Sequence, residues 1–332
     1  MKLVLPRVEL IKQKPGKQGI YEQIEIGART CYKSDDKIQY DEQGNSLTAR
    51  KFVDNIVNVR KHGSVAEHGT VYLKYPYKYL CDWAIYNPHT HIRTDEEGNS
   101  YVTTNFRVLQ ELGRVSDIDK YGIEYDKEYH SRRWMFRFYT QIAMSREANR
   151  HRVNSPSEQS TRYCNYSKDK FGNEINICVP DFVNSKELFT HKPDFRHLCS
   201  DVYNFRESEW TVIDYWLFGN LAAEFSYLGM ISLGVKPENA RTVLPLDTQT
   251  ELIHTAFIKD WIHFLKLRLA ETAHPDMIHL AYMMCFELLK ADELDMKDIE
   301  FVFEINPELF INNCIKYKLV NSFNEFEELI KI

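Results

Sequence analysis

Apolar/polar alternation is confined to the first 140 residues of this chain, and long helical periods take over after residue 201. Residues 2–11 (KLVLPRVELI) read as a strand interrupted near Pro6, residues 69–75 as a strand that stops at Pro76, and residues 133–140 (RWMFRFYT) as a third strand. Between them, 18–31 predicts a helix with Ile20, Ile24 and Gly27/Ala28 on one face. A second helix fits 47–61, with Phe52, Ile56 and Val59 spaced for burial, and a third fits 141–149. The later part predicts helices over about 205–232 and 248–272, and another from Pro275 to about 290 with Asp276 in its first turn. Early strands followed by late helices define an α+β class and argue against a doubly wound parallel sheet. No GxGxxG or GxxxxGK[ST] occurs, so neither a Rossmann turn nor a P-loop is expected.

Charge narrows the range of ligands. The net charge of -6 is unevenly spread over the 332 residues. Residues 293–332 carry nine acids and four lysines, a net of -5, whereas residues 131–168 carry eight bases and two acids, a net of +6. One arginine-dense segment in an acidic chain suits a small anion held in one place better than duplex nucleic acid, which favours a broad basic face. The N-terminus lacks the apolar core of a secretory signal, and no run approaches the ~20 apolar residues of a membrane span. The seven cysteines are scattered and never form CxxC, which fits reduced thiols in a cytoplasmic protein.

The densest chemistry lies in Arg150-His-Arg-Val-Asn-Ser-Pro-Ser-Glu-Gln-Ser-Thr-Arg-Tyr163. Its guanidinium groups can fork onto phosphate, and its hydroxyls add uncharged donors. Ser155-Pro156-Ser157-Glu158 also fits a helix start, with Ser155 as N-cap, Pro156 at the first helical position and Glu158 closing a capping box. A helix N-terminus there would itself favour an anion, so the two readings are compatible.

Arg150-His151-Arg152, followed by seven residues and Ser160, resembles the signature of flavin-dependent thymidylate synthases, and Thr161-Arg162-Tyr163 fits its continuation. Ala28–Tyr32 (ARTCY), His62–His68 (HGSVAEH), Glu238–Pro245 (ENARTVLP) and His263–Arg268 (HFLKLR) resemble further elements of that family, in the same order, over about 28–290. The resemblance implies a central antiparallel sheet flanked by helices. It also implies methylation of dUMP to dTMP, with methylenetetrahydrofolate as carbon donor and FAD, reduced by NADPH, as hydride carrier. Family members are homotetramers with active sites between subunits.

Residue roles follow from the same resemblance. Arg268 would be the cation that activates the pyrimidine, where charge builds on a carbonyl and N3 during reaction. Its place among Lys266-Leu267-Arg268-Leu269 otherwise reads as a solvated helix arginine. Arg150, His151 and Arg152 would contact FAD, Arg150 also reaching dUMP, and Glu158 would touch both. Gln159, Ser160, Arg162 and Arg241 would surround the nucleotide, and Ser64 and His263 would face FAD. Residues 257–259 (Phe-Ile-Lys) depart from the commoner Asn-containing flavin stretch, and Glu147 replaces a commoner Gln beside the nucleotide. An ionised carboxylate there accepts hydrogen bonds but cannot donate them. No Asp-His-Ser arrangement supports Ser160 as a nucleophile, so it is assigned to binding.

The expected organisation is a synthase domain over 1–292, with insertions near 76–131 and 168–200, and an acidic helical extension over 293–332. Two other classes also fit the sequence. In one, Trp134, Phe136, Phe138 and Tyr139 stack on bases in a non-catalytic nucleotide or RNA binder. In the other, His62, Glu67 and His68 hold a metal in a phosphohydrolase. Their HxxxxEH spacing differs from HExxH, and His89 and His91 lack suitable partners, so no metal is expected.

Overall fold

The computed structural model describes residues 1–77, 81–183, 186–190 and 210–330. Strands β1 (Lys2–Val4) and β2 (Arg7–Ile11) flank Pro6, as the interruption predicts. Helix α1 (Gly16–Tyr32) follows, then a short helical stretch over 49–59 and a 3-10 turn, Gly63–His68. β3 (Thr70–Tyr75), β4 (His91–Thr94) and β5 (Ser100–Asn105) form a small antiparallel sheet in the order β3-β5-β4. The 76–131 segment therefore supplies two strands of its own, with the Glu97-Gly98-Asn99 turn between them and Gly98 at φ 87.

The central sheet is antiparallel throughout. It runs β2-β6-β9-β7, where β6 is Arg133–Gln141, β7 is Ser155–Glu158 and β9 is Gln249–Phe257. A third pairing joins β1 in parallel to β8 (Asn176–Cys178). Helices α2 (Ile142–Ala148), α3 (Val212–Ser232), α4 (Ile258–Arg268) and α5 (Pro275–Lys290) come next in the chain. They are followed by α6 (Met296–Phe301), α7 (Pro307–Lys316) and α8 (Phe323–Ile330). The residues before 210 expected to begin α3, Cys199, and part of the 168–200 insertion lie outside the described residues.

Alternation along β6 separates two faces. Trp134, Phe136 and Phe138 are buried in the main core with Trp261 and Phe264 of α4 and the apolar side of α5. Arg137, on the opposite face, meets α1 through Thr30. The aromatics offered as a base-stacking surface are thus mostly interior, each contributing about 1.5–3 kcal/mol by burial rather than waiting for a ligand. The acidic last segment is helical, and its Ile299, Phe310 and Phe326 belong to the same core. No helix of the described residues is long and apolar enough to cross a membrane.

Two local expectations are corrected. The helix expected over 248–272 is a strand to Phe257 and a helix only from Ile258. β9 is paired along both edges and buried on both faces, so it shows no apolar/polar alternation to read. Ser155–Glu158 is likewise a strand and not a capped helix start. Pro156 is tolerated because β7 is an edge strand, where a missing N–H breaks no interior ladder. The Ser157 hydroxyl hydrogen-bonds with His68 Nε2 at 2.8 Å, and Thr255 of β9 with His68 Nδ1 at 2.8 Å. His68 therefore pins the 63–68 turn to β7 and β9. Gly27 of α1 gives it room, since a Cβ at that position would lie 2.3 Å from His68 Cδ2.

Candidate active site

The arginine segment begins where α2 ends. The backbone N–H of Arg150 donates to Glu147 O and that of His151 to Ala148 O, so the chain turns out of the helix before entering β7. On the far side of the sheet's core, α4 presents its C-terminal end to the same place. Phe264 is buried with its ring 4.4 Å from the His151 ring, which leaves Arg268, one turn later, facing the segment.

Arg268 joins the two motifs. Its Nε donates to His151 Nε2 at 3.2 Å, Nη1 to Glu147 Oε2 at 2.8 Å, and Nη2 to the Glu147 carbonyl at 2.9 Å. Three of the five guanidinium N–H groups are thereby committed, leaving one on each Nη. Because His151 Nε2 accepts, its ring is neutral with the proton on Nδ1. Burial, then the Arg268 charge and His263, lowers its pKa to about 4. Arg268 is accordingly not a solvated helix arginine: its side chain is only 16% exposed.

Glu158 sits half-buried at the end of β7. Its Oε1 accepts from Thr250 Oγ1 at 3.1 Å and its Oε2 from Asn149 Nδ2 at 3.4 Å. Asn149 in turn meets His254 of β9, and His254 meets Asn154. A pocket of about 370 Å³ is lined by Asn149, His151, Arg152, Asn154, Glu158 and His254. Asn149, Asn154, Thr250 and His254 carry no motif of their own in the sequence, and only the pairing of β9 with β7 brings them together.

The loop after β7 is anchored by Ser160, whose N–H donates to the Cys31 carbonyl at 3.0 Å, and its Oγ accepts from the Arg162 N–H at 3.3 Å. Arg241 reaches the same loop, Nη1 donating to Thr161 Oγ1 at 3.2 Å. Gln159 is buried, its N–H on the Glu251 carbonyl and its side chain beside Cys164 and Tyr166. His263 is exposed on α4 with its ring 6.2 Å from that of His151. Ser64 is exposed on the 63–68 turn and, among the described residues, forms no hydrogen bond with the arginine cluster.

Arg150, Arg152, Arg162 and Arg241 are all exposed, and among the described residues none has a carboxylate partner. Arg152 lines the pocket, and Arg162 and Arg241 meet at the 160–162 loop; exposed guanidinium groups of this kind fit ligands that carry phosphate charges. A larger cleft of about 990 Å³ lies elsewhere, between α1 and the start of β6. Two of its cations, Lys12 and Arg132, already pair with Glu293, so volume alone does not make it the stronger site.

The metal alternative finds little support. Glu67 pairs with Arg107 at 2.5 Å, His62 lies 3.3 Å from the Tyr32 hydroxyl, and His68 is held by Ser157 and Thr255. Among the described residues no group of three or more His, Cys, Asp or Glu is arranged to hold a metal ion.

Residues 131–292, which hold β6, the arginine segment, β9, α4 and α5, match the family model described as Thymidylate synthase complementing protein. The flavin-dependent thymidylate synthase of Geobacter sulfurreducens is 28% identical over 142 residues, covering 43% of this chain and 50% of that protein. The enzyme of the same description from Pyrococcus furiosus is 26% identical over 147 residues, covering 44% of this chain and 49% of that protein. The chain thus spans about half the length of the curated relatives it matches. Thymidylate synthase X of Helicobacter pylori, solved with FAD and dUMP, aligns over 94% of this chain and 100% of that one at 16% identity. A UMP/dUMP methylase of Streptomyces cacaoi, solved with 5-Br dUMP, covers 94% of this chain and 97% of that one at 17% identity. Both have a TM-score of 0.35. The 131–292 segment is thus similar to flavin-dependent thymidylate synthases.

Proposed function

We propose that this protein methylates dUMP to dTMP, with methylenetetrahydrofolate as carbon donor and NADPH-reduced FAD as hydride carrier. The observation that carries the reading is the contact of Arg268 with His151 and Glu147, across 117 and 121 residues of sequence. It unites the two family motifs that would have to meet for the chemistry to occur at one place.

FAD, when bound, would supply the hydride. The chain's own contribution is positioning and charge. Arg268 keeps two N–H groups for a pyrimidine carbonyl and N3, where negative charge grows as C5 becomes nucleophilic. Arg162 and Arg241, beside Ser160 and Thr161, would hold the nucleotide phosphate, and Arg150 and Arg152 the flavin's diphosphate. Glu158, an acceptor at the pocket wall, would meet ring N–H groups of either ligand. Gln159 would act from behind, supporting the loop that presents Ser160, since its side chain is interior. His263 and Ser64 would face FAD.

The exposure of these cations supports a site completed by another subunit, as in a homotetramer, in a cytoplasmic protein. The family body would span 1–292, with 293–332 as an acidic helical addition built onto its core. A direct test is the flavin spectrum of the purified protein together with release of tritium from C5-labelled dUMP. A protein that neither takes up FAD nor releases tritium would sink the proposal.

A further inference from the structure

The pocket beside Arg152 is walled by an unbroken chain of polar side chains whose orientations can be deduced from one end. Asn149 turns its amide Nδ2 toward Glu158 Oε2, the donor a carboxylate acceptor requires. That leaves Asn149 Oδ1 facing His254 Nε2 at 3.0 Å, so Nε2 must carry the proton. His254 Nδ1 is then a lone pair and accepts from Asn154 Nδ2 at 3.3 Å. The last acceptor, Asn154 Oδ1, is buried and, among the described residues, has no partner, which is what a chain fixed from the carboxylate end leaves over.

We propose that His254 is a positioning residue for Glu158: held as its Nε2–H tautomer, it fixes the Asn149 amide so that Glu158 stays an oriented acceptor for ring N–H groups of the ligand. This rests on reading the site as one that binds pyrimidine and flavin rings. His254 is suited to the part because it is rigid. It is 1% exposed in β9, opposite Pro156 of β7 and Phe136 of β6, so neither neighbour offers it a side-chain hydrogen bond. Asn149, by contrast, is exposed at the end of α2, and without His254 its amide would be free to rotate away from Glu158. Burial keeps the ring neutral, with a pKa lowered to about 3, so the tautomer persists across the working range of pH.

The test has two independent readings. In ligand-free protein labelled with ¹⁵N-histidine, His254 is expected to show a protonated Nε2 and a bare Nδ1. In FAD-loaded protein, His254→Phe and Asn149→Ala should each weaken dUMP binding by about tenfold, the scale of one hydrogen bond to a charged group. The double variant should be no weaker than either single one, because both remove the same support. His254→Gln, which can donate to Asn149 and accept from Asn154, should recover most of the affinity, and it remains readable if the Phe variant does not fold. A purely packing role for His254 would lower thermal stability without this non-additivity. Additive losses, unchanged dUMP affinity in His254→Phe, or an Nδ1–H tautomer in a protein that does bind dUMP would overturn the relay. Failure of the wild-type protein to bind dUMP would overturn the functional reading instead.

Discussion

Arg268 holds Glu147 twice, through the carboxylate at 2.8 Å and through the backbone carbonyl at 2.9 Å. The side-chain contact ties the C-terminus of α4 to the end of α2, and the carbonyl contact requires the forked geometry of a guanidinium. Glu147 thus has a partner that explains a carboxylate at a position where a glutamine is commoner. It neutralises and aims the arginine while the arginine keeps N–H groups for a ligand.

Arg268→Ala is expected to lower methylation by about 10²-fold or more, the scale of one preorganised electrostatic contact, while FAD remains bound. Arg268→Lys should not restore turnover, since an ammonium cannot span Oε2 and the carbonyl together. Tritium release and flavin absorbance measured on the same samples check both points.

At Glu147 the sign of the effect depends on the replacement. Glu147→Gln keeps an acceptor for Arg268 and removes the competing charge, so dUMP affinity should hold or rise. Glu147→Ala leaves the guanidinium unaimed and should lower kcat. The ion pair is partly exposed, so its own worth to stability is only about 1 kcal/mol or less. Calorimetric titration with dUMP, beside steady-state rates, separates these outcomes.

Arg241→Ala should weaken dUMP binding by about tenfold with little change in kcat, because the residue would act on phosphate. An unchanged Kd would remove Arg241 from the site.

Gly27→Ala should destabilise the fold by about 1–3 kcal/mol, the usual range for overpacking. Its added methyl would meet the His68 ring, which cannot retreat without breaking its bonds to Ser157 and Thr255. Urea unfolding curves of the two proteins give the difference.

His68 also predicts a pH dependence. Burial, with the nearby Arg133 charge, lowers its pKa to about 3, below the 6.5 of an unfolded histidine. Between those values the unfolded chain binds a proton that the folded one does not, so stability falls as pH drops from 6.5 toward 3. The histidine contributes a slope of about 1.4 kcal/mol per pH unit in that window. His68→Gln should show a correspondingly shallower loss of stability between pH 6 and pH 4.5, in the same unfolding assay.

Much of this architecture is legible from local spacing. The break at Pro6, the alternation of Trp134, Phe136 and Phe138, helix α1 and the start of α5 at Pro275 all follow from period and punctuation. The motif Arg150-His151-Arg152 with Ser160, and the later His263–Arg268, are legible as candidate site components because the family resemblance attaches chemistry to them. Those inferences need only neighbours within a few residues.

What tertiary structure alone decided depends on distant partners. β9 is not legible in the sequence because pairing on both edges and burial on both faces erase the alternation by which a strand is recognised. Ser155–Glu158 carries every sign of a helix start, yet it is recruited as an edge strand by β9, about 100 residues later. The same pairing sets His254 between Asn149 and Asn154, and the packing of Phe264 against His151 turns Arg268 onto Glu147. Sequence determined which groups the chain carries and the local form of most segments. Only the folded sheet determined which of them touch, because hydrogen bonds act over about 3 Å in space and are indifferent to separation along the chain.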